Sequence, residues 1–547
     1  MPEKSRDVEF ARALRRSIDA ERPDDVRARL SRIAREGSVV LVADVAPLLA
    51  VEDYTLAARA CLESLFDRAP ALEFVRLDVA QRERLAPRIS DWPRDRAERI
   101  LLGKRSVLGR RPVPPALAAV AAGHQDGRVR QAALEVLARQ EPGRAGLAMA
   151  LIRCNDWVES VRRLARTVVE GCLVPDLAAD LADLLPLVLR LRDCRRGEHR
   201  PLVDAICEFL RRGDDAPRLR HALDSHDSRV RRAALEVARD LEPRPAERFF
   251  RHALGHPGPV ARMIAFRELS RRLAPDDLVT LAREGILDDC GIVRREALFV
   301  LHDHPPRDLP ALLEELVLDS NRTVAWVAFD LLQRRFGSDP IRLIRAELAD
   351  PESPRLERAL ASIETGGDRT DVPVVVERLG HRRPRVRAAA LLAYAKLAGD
   401  EDVRPRLAES LLDAAPRVSR TALRLLRRRS PLGLEAVLER GFAPERPPHV
   451  RRNSLSLLAT VPGLDGLERL LRHHDDPDPD IANIARTQMW HPRFRPRAWT
   501  GIPSTEAVER VLALLERVPP PPPQRHRRFT RDDKALLEAD LRALLGR

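Results

Sequence analysis

Apolar residues return in one recurring pattern along most of this 547-residue chain. In the stretch DSRVRRAALEVARDL they are Val230, Ala234, the adjacent pair Val237 and Ala238, and Leu241, so that an apolar residue returns every three or four positions. This spacing places them on one face of a helix, with the charged residues on the other face. Because a helix with one apolar face must bury it against a neighbour, the pattern predicts an amphipathic helix within a larger helical array.

The pattern recurs with a period of about 31 residues, the length of one helix pair. Each unit has a first helix, a polar turn and a second helix, and we call the first buried residue of the second helix the anchor. Anchors lie 30 to 33 residues apart, except across one gap of 69 residues, which we interpret as holding a divergent unit near Leu202. The anchors are Val129, Val161, Leu202, Val230, Val260, Val293, Val324, Leu356, Val386, Val418, Val450 and Ile481.

A turn aspartate, then Val-Arg, then alanine, repeated at this spacing, resembles HEAT repeats, especially the short bacterial PBS-lyase type. DSRVRRAALEVA from Asp227 and DDPDPDIANIA from Asp475 match best, and the resemblance covers about residues 114–490. It implies an all-α fold, a right-handed superhelical α-solenoid of about 12–13 helix pairs, whose second helices line the concave side. Tetratricopeptide repeats are the nearest alternative, but their Trp, Gly and Tyr positions are missing.

The resemblance also implies a structural ladder, in which the arginine directly after an anchor pairs with an aspartate of a turn. Its predicted members are Arg130, Arg162, Arg231, Arg294, Arg387, Asp288, Asp319, Asp413 and Asp476. The residue two positions after the anchor should instead point away from the core. Arginine stands there as Arg163, Arg232, Arg262, Arg295, Arg358, Arg420 and Arg452. We expect Glu236, one turn further on, to neutralise Arg232.

The period breaks at both ends of the array. Residues 1–113 are predicted to form an N-terminal helical cap with one degenerate repeat, at 37–66, and an irregular insert. Residues 491–547 form a C-terminal extension: a loop, a helix from about Ser504 to Val518, a spacer of five prolines and a terminal helix. Thr530 and Asp533 before that last helix resemble a capping box. The terminal helix either caps the array or docks on a partner, and the sequence leaves both open.

The charged residues are unevenly distributed along the chain, and this distribution indicates where a binding surface lies. The chain has 96 basic and 83 acidic residues, and only four of the basic ones are lysine. A coding bias toward arginine would explain that composition, but residues 382–452 alone hold 17 basic and 8 acidic side chains. In RVSRTALRLLRRRSP five arginines recur on one helical stripe with no acid between them. We predict a partner- or polyanion-binding patch made of Arg417, Arg420, Arg424, Arg427, Arg428, Arg451 and Arg452.

Two alternatives weaken a functional interpretation of this patch. The acidic stretch 475–480, or the C-terminal extension, could neutralise it within the fold. The aspartates of that stretch, Asp476, Asp478 and Asp480, have the spacing of a calcium loop, but the required glycine and closing glutamate are missing. His473 and His474 beside them are a weak metal signal, and we expect neither a metal nor a cofactor.

No catalytic motif is present: there is no phosphate loop, no G-x-S-x-G and no H-E-x-x-H. Some HEAT-like proteins are DNA glycosylases, but their pocket residues cannot be matched here, and Trp157 and Trp326 are interpreted as packing residues. We therefore predict a non-enzymatic scaffold or adaptor that binds a protein along its concave face. The alternatives are a nucleic-acid-binding solenoid that holds duplex backbone and a glycosylase-like DNA-repair enzyme.

The predicted compartment is the bacterial cytoplasm. Six cysteines are scattered without a CxxC pair, and the polar N-terminus lacks the apolar segment of a signal peptide. The longest apolar run, from Ser38, contains Asp44 and is too short for a bilayer. We expect no membrane role and no small-molecule substrate.

Overall fold

The computed structural model describes residues 2–20, 22–50, 52–81, 115–429, 433–496, 499, 503–519 and 532–546. Every regular element in these ranges is a helix, so the predicted all-α class of stacked helix pairs is confirmed. The chain forms two compact units, Met1–Val300 and Leu301–Arg547. The predicted boundaries at 113 and 490 stay predictions. Residues 82–113 of the irregular segment predicted at 67–113, most of the proline spacer and Thr530 lie outside the described residues.

The first unit opens with the helices α1 (Pro2–Asp19), α2 (Pro23–Glu36), α3 (Val42–Val45), α4 (Thr55–Arg68) and α5 (Glu73–Ala80). Helix α4 packs against α2 and buries Cys61 and Leu65. The array then continues as α6 (Pro115–Ala122), α7 (Gly127–Leu137), α8 (Gly143–Arg153), α9 (Glu159–Gly171), α10 (Ala178–Asp183), α11 (Leu185–Arg190), α12 (Arg200–Arg211), α13 (Pro217–Leu223), α14 (Ser228–Val237), α15 (Pro243–Leu254), α16 (Pro259–Ser270), α17 (Pro275–Gly285) and α18 (Gly291–Asp303).

The last turn of α18 already belongs to the second unit. That unit continues with α19 (Leu309–Leu316), α20 (Arg322–Phe336), α21 (Pro340–Ala349), α22 (Leu356–Gly366), α23 (Val372–Arg378), α24 (Pro384–Leu397), α25 (Asp400–Leu411), α26 (Pro416–Leu426), α27 (Glu435–Phe442), α28 (Pro448–Leu458), α29 (Leu464–Arg472), α30 (Pro479–Gln488), α31 (Thr505–Arg517) and α32 (Asp532–Leu544).

Each of the twelve predicted anchors lies in the first turn of a second helix. Most of these anchors are fully buried, as the pattern predicts. Val260 is the exception, because it is 47% exposed while Ala261 beside it is buried. The predicted anchor of that unit is therefore wrong by one residue. The cause is local: Gly258 is the N-cap of α16, and the helix that follows turns Ala261 inward.

The same hydrogen bond recurs in the turns before the second helices. The residue two positions before the N-cap accepts the N-cap backbone N–H, so that donor is satisfied before the helix starts. Asp156 accepts from the Val158 N–H at 2.9 Å, and Asp413 accepts from Ala415 at 2.8 Å. In other units the acceptor is a histidine or a serine in the same place: His124, Ser225, His256 and His381.

The ladder arginines bind the turn of their own unit. In each case Nη1 donates to two backbone carbonyls five and six residues earlier, where the first helix has just ended and its carbonyls lack helical partners. Arg387, for example, donates to His381 at 2.8 Å and to Arg382 at 3.3 Å. The same pair of bonds is made by Arg130, Arg162, Arg231, Arg262 and Arg294.

Arg130, Arg262 and Arg387, and also Arg451 at the equivalent position of a later unit, pair with the aspartate of the next turn. The Arg–Asp distances are 2.8 Å for Arg130–Asp156, 2.7 Å for Arg262–Asp288, 2.7 Å for Arg387–Asp413 and 3.4 Å for Arg451–Asp476. Each joins one helix pair to the next, so the arginine fastens two units at once.

The observed ladder corrects the predicted membership. Arg262 was expected to point outward, but it pairs with Asp288 because the register of α16 is shifted by one residue. Asp156 was missed. Arg231 faces a turn in which His256 stands at the aspartate position, so its carbonyl bonds are the ladder contact seen there. Glu236 pairs with Arg192 at 3.0 Å rather than with Arg232.

Electrostatics favours the charged form of two ladder aspartates, Asp156 and Asp288. Burial by itself would raise the pKa of Asp156, but the hydrogen bonds from Arg130 and the Val158 N–H outweigh it and the pKa is lowered. The pKa of Asp288 is lowered in the same way, by Arg262 and by the Cys290 N–H against burial. The pairs made by Asp156 and Asp288 are therefore ionised at neutral pH.

The C-terminal end of the second unit is closed by its last helices. Leu537 and Leu541 of α32 are buried in one apolar cluster with Phe494, Val511 and residues of α29 and α30. Arg495 pairs with Asp533 at 3.4 Å and with Asp540 at 3.3 Å, which fixes the helix from its polar side. In this arrangement the terminal helix caps the array.

Candidate partner-binding surface

The second helices of the second unit lie side by side in a row. Helix α24 packs against α22 and α26, α26 packs against α28, and α28 packs against α30. Each also packs against the first helix of its own unit, so the remaining face of the row is the one open to solvent. The predicted patch lies on this row.

Helix α26 buries one side and exposes arginine on the other. Val418, Ala422 and Leu426 are buried, and the Ser419 hydroxyl donates to the Leu411 carbonyl at 2.7 Å. Proline at the first helical position fits because it needs no backbone donor there. All five predicted arginines of this stripe are exposed: Arg417, Arg420 and Arg424 lie on α26, and Arg427 and Arg428 follow in the turn directly after it.

These arginines meet few acids. Arg417 approaches Glu357 at 3.6 Å, and Arg427 donates to the Ser456 hydroxyl at 2.8 Å. Arg420 donates to the Pro416 carbonyl of its own helix at 3.1 Å. Within the described part of the chain, no carboxylate lies at ion-pair distance from Arg420, Arg424 or Arg428. The stripe therefore presents uncompensated positive charge to solvent.

The remaining two predicted arginines, Arg451 and Arg452, are paired with acidic residues of the chain itself. Arg451 pairs with Asp476 and lies over the Phe442 ring at 5.4 Å, and Arg452 forms an ion pair with Asp480. The acidic stretch that was the alternative explanation of the patch thus neutralises the α28 end of the patch but not the α26 stripe. The candidate surface is therefore smaller than the predicted patch: it excludes Arg451 and Arg452 and centres on α26.

Two cations that the sequence analysis missed extend the surface onto α24. Arg385 and Lys396 are exposed, and no carboxylate lies at ion-pair distance from either in the described ranges. They stand at the same positions relative to Val386 as Arg417 and Arg428 do relative to Val418. Comparison of equivalent positions in neighbouring units of the sequence would have identified both residues.

Between these cations α24 is lined with small residues. Ala388 and Ala389 occupy the places equivalent to Arg420 and Thr421, and both are buried. The Glu357–Arg417 ion pair joins α22 to α26 and so spans α24. The three helices form a groove with α24 as its floor, which we call the arginine groove: its cations are Arg385, Lys396, Arg420, Arg424 and Arg428.

The weak metal signal has another explanation. Asp476 belongs to the ladder, Asp480 pairs with Arg452, and Asp478 caps α30 by accepting from the N–H groups of Asp480 and Ile481. His473 contacts Asp476 at 3.0 Å. In the described ranges no group of three or more His, Cys, Asp or Glu side chains is arranged to hold a metal ion.

The two tryptophans considered in the sequence are both about half exposed. Trp157 is 56% exposed with the Arg130 guanidinium 5.4 Å from its ring centre, and Trp326 on α20 is 51% exposed. Neither lies on the arginine groove. Among the described helices none has the length and apolar character needed to cross a membrane.

Comparison with known proteins adds little to these observations. No family model matches the chain. A segment of 104 residues, 18% of this chain, is 34% identical to small ribosomal subunit protein uS7 of Magnetococcus marinus, and the match spans 64% of that protein, less than two thirds of its length. This similarity is too partial to assign the chain to a family.

Two solved structures align with most of the chain at low identity. A crystal structure of importin beta is 14% identical, with 93% of this chain and 70% of that chain aligned and a TM-score of 0.41. A structure of Kap95p with RanGDP is 12% identical, with 98% and 72% aligned and a TM-score of 0.37. At these scores neither structure transfers a partner or an activity to this chain.

Proposed function

We propose that this protein is a non-catalytic scaffold or adaptor of the bacterial cytoplasm that binds a protein partner along the open face of its second helices. The observation that carries the proposal is the set of exposed arginines Arg420, Arg424 and Arg428, from which no carboxylate of the described residues lies at ion-pair distance. Charge left uncompensated on an ordered surface favours an oppositely charged partner. The six cysteines are free, which suits a reducing compartment.

Exposed apolar side chains on second helices of the first unit support a protein partner. Ile292 and Phe299 lie seven residues apart on one face of α18 and are 43% and 45% exposed. Val260 on α16 is exposed as well. Large apolar side chains that share an exposed face are typical of protein-binding surfaces.

A nucleic-acid duplex is the second candidate, favoured by the same arginine stripe. Arginines one turn apart can contact successive phosphates, and such binding weakens steeply with salt. The two candidates differ in the class of molecule that contacts the open face, which is a protein in the first and a nucleic-acid duplex in the second.

Site-specific photo-cross-linking in the native host tests the proposal. A benzoylphenylalanine at Phe299, Trp326 or Arg424 samples second helices, and the same group at Arg406, exposed on the first helix α25, is the matched control. We expect one defined protein adduct from second-helix positions and none from Arg406. Nucleic-acid adducts at Arg424 would favour the second candidate, and equal labelling at all positions would contradict both.

A further inference from the structure

We propose that the arginine groove binds an acidic peptide segment in extended conformation, contributed by the protein partner. This inference rests on the proposed scaffold function and specifies the chemistry of one part of the interface. It follows from the width of the groove, from the spacing of its cations and from the absence of stacking surfaces among its described residues.

The width follows from one ion pair. Neighbouring helices pack about 8–10 Å apart, so α22 and α26 would stand about 16–20 Å apart in a flat row. The long side chains of Glu357 and Arg417 bridge this distance and meet at 3.6 Å across α24. Since α24 is the single helix between the two, the groove is about one helix wide. A duplex, whose major groove alone is about 12 Å wide, is too broad to enter it.

The spacing of the cations fits an extended chain. Arg420 and Arg424 are four residues apart on α26, which corresponds to about 6 Å along the helix axis, and Arg428 follows in the turn after the helix. In an extended peptide, alternate side chains point the same way about 6.6 Å apart. A peptide with an acid at every second residue therefore presents its carboxylates at nearly the pitch of these arginines. Each guanidinium can then bind a carboxylate with two hydrogen bonds.

Single-stranded nucleic acid fits less well because bases need aromatic surfaces on which to stack. The aromatic residue of α24 is Tyr394, which is buried and donates its hydroxyl hydrogen to the Asp402 carbonyl at 3.2 Å. Helix α26 contains no aromatic residue. The described part of the groove therefore presents cationic side chains and alanine, but no exposed aromatic ring on which a base could stack.

Fluorescence anisotropy on the full-length protein tests this inference. The probe is a fluorescein-labelled octapeptide of alternating Glu and Ser, compared with its Gln-Ser counterpart, a 16-base-pair duplex and a ten-nucleotide thymidine strand. We expect the Glu-Ser peptide to bind most tightly. Arg424→Glu and Arg428→Gln should each weaken its binding by about tenfold, the loss of one charge-assisted contact.

Arg406→Glu, a charge reversal outside the groove in the same unit, should leave the affinity unchanged. The inference is overturned if either nucleic acid binds more tightly than the peptide, or if Arg406→Glu weakens binding as much as Arg424→Glu. Thermal unfolding of each variant checks that the fold is retained, and Arg428→Gln tests the groove without reversing a charge. A cross-linked protein partner together with no peptide binding would refute the acidic-peptide inference alone and leave the scaffold function standing.

Discussion

Replacing Asp156 by Asn tests whether the ladder stabilises the array through buried charge. The Asp156 carboxylate is buried: Oδ1 accepts from Arg130 at 2.8 Å and from the Val158 N–H at 2.9 Å, and Oδ2 accepts from Arg153 at 3.0 Å. Both guanidinium groups are almost completely buried. Asparagine keeps one acceptor but turns its NH2 group toward a second donor, and it removes the shared negative charge.

The expected cost is large because two buried cations lose their common partner. Removing one member of a buried ion pair typically destabilises by about 3–5 kcal/mol. Two contacts limit the loss, since Arg153 keeps its ion pair with Asp78 and Arg130 keeps its bonds to the His124 and Gln125 carbonyls. We therefore expect a value near the lower limit, about 3 kcal/mol.

Amide hydrogen exchange of α7 and α9 measures this loss locally, which suits an array of repeats that need not unfold in one step. A loss of about 3 kcal/mol makes exchange from these helices about a hundredfold faster. The difference between wild type and variant should shrink in acid. Because the folded-state pKa of Asp156 is lowered, its contribution is present above the ordinary value of about 3.9 and is lost as the pH falls through the folded value.

Glu159→Gln is the matched control on the same helix pair. Glu159 pairs with Arg163 at 3.3 Å, but both side chains are about two-thirds or more exposed, so this change should cost less than about 1 kcal/mol. If the two variants exchange at equal rates, buried charge does not hold the ladder and the reasoning is wrong.

Three further predictions follow from single sites. Burial lowers the pKa of His124, so the neutral ring accepts the Asp126 N–H at pH 7 and its contribution to stability is lost as the pH falls below about 6.5; an NMR titration midpoint at or above that value would contradict this. Burial raises the pKa of the Cys61 and Cys154 thiols to about 12, so iodoacetamide at pH 8 should modify the partly exposed Cys194 and Cys290 first, as mass spectrometry would show. Gly285→Ala should destabilise by about 1–3 kcal/mol because its Cβ would lie 2.7 Å from the Phe266 ring, whereas Gly171→Ala meets nothing within 4 Å and should stabilise by up to about 1 kcal/mol; the opposite order of melting temperatures would refute the packing argument.

The helix pairs were predictable because each unit repeats the same buried positions. The prediction failed at α16 for a physical reason: Val260 and Ala261 are both apolar, so hydrophobicity alone cannot choose the register. The choice is made by the cap at Gly258 and by the carbonyl bonds of Arg262. Aligning this unit on its ladder arginine, Arg262, instead of on its first apolar residue would have identified Ala261 as the anchor.

The candidate surface was predictable only within one helix. The stripe on α26 follows from spacing along a single helix, but Arg385 and Lys396 join it through the stacking of neighbouring units. The ion pair that spans the groove joins Glu357 and Arg417, sixty residues apart. No local pattern contains that contact, because its two residues belong to different units that meet only when the helices stack.

The preference for arginine over lysine has a structural basis in this array, whatever the coding bias. A ladder arginine uses Nη1 for two carbonyls of its own turn, and in Arg262 and Arg387 it uses Nε and Nη2 for both oxygens of the next aspartate. This needs a planar fork of fixed donors, which the single ammonium of lysine cannot supply. Arg420, Arg424 and Arg428 have the same fork of donors, but no carboxylate of the described chain lies at ion-pair distance from them. The side chain that fastens one unit to the next is therefore also suited, where it is left exposed, to bind the carboxylates of another chain.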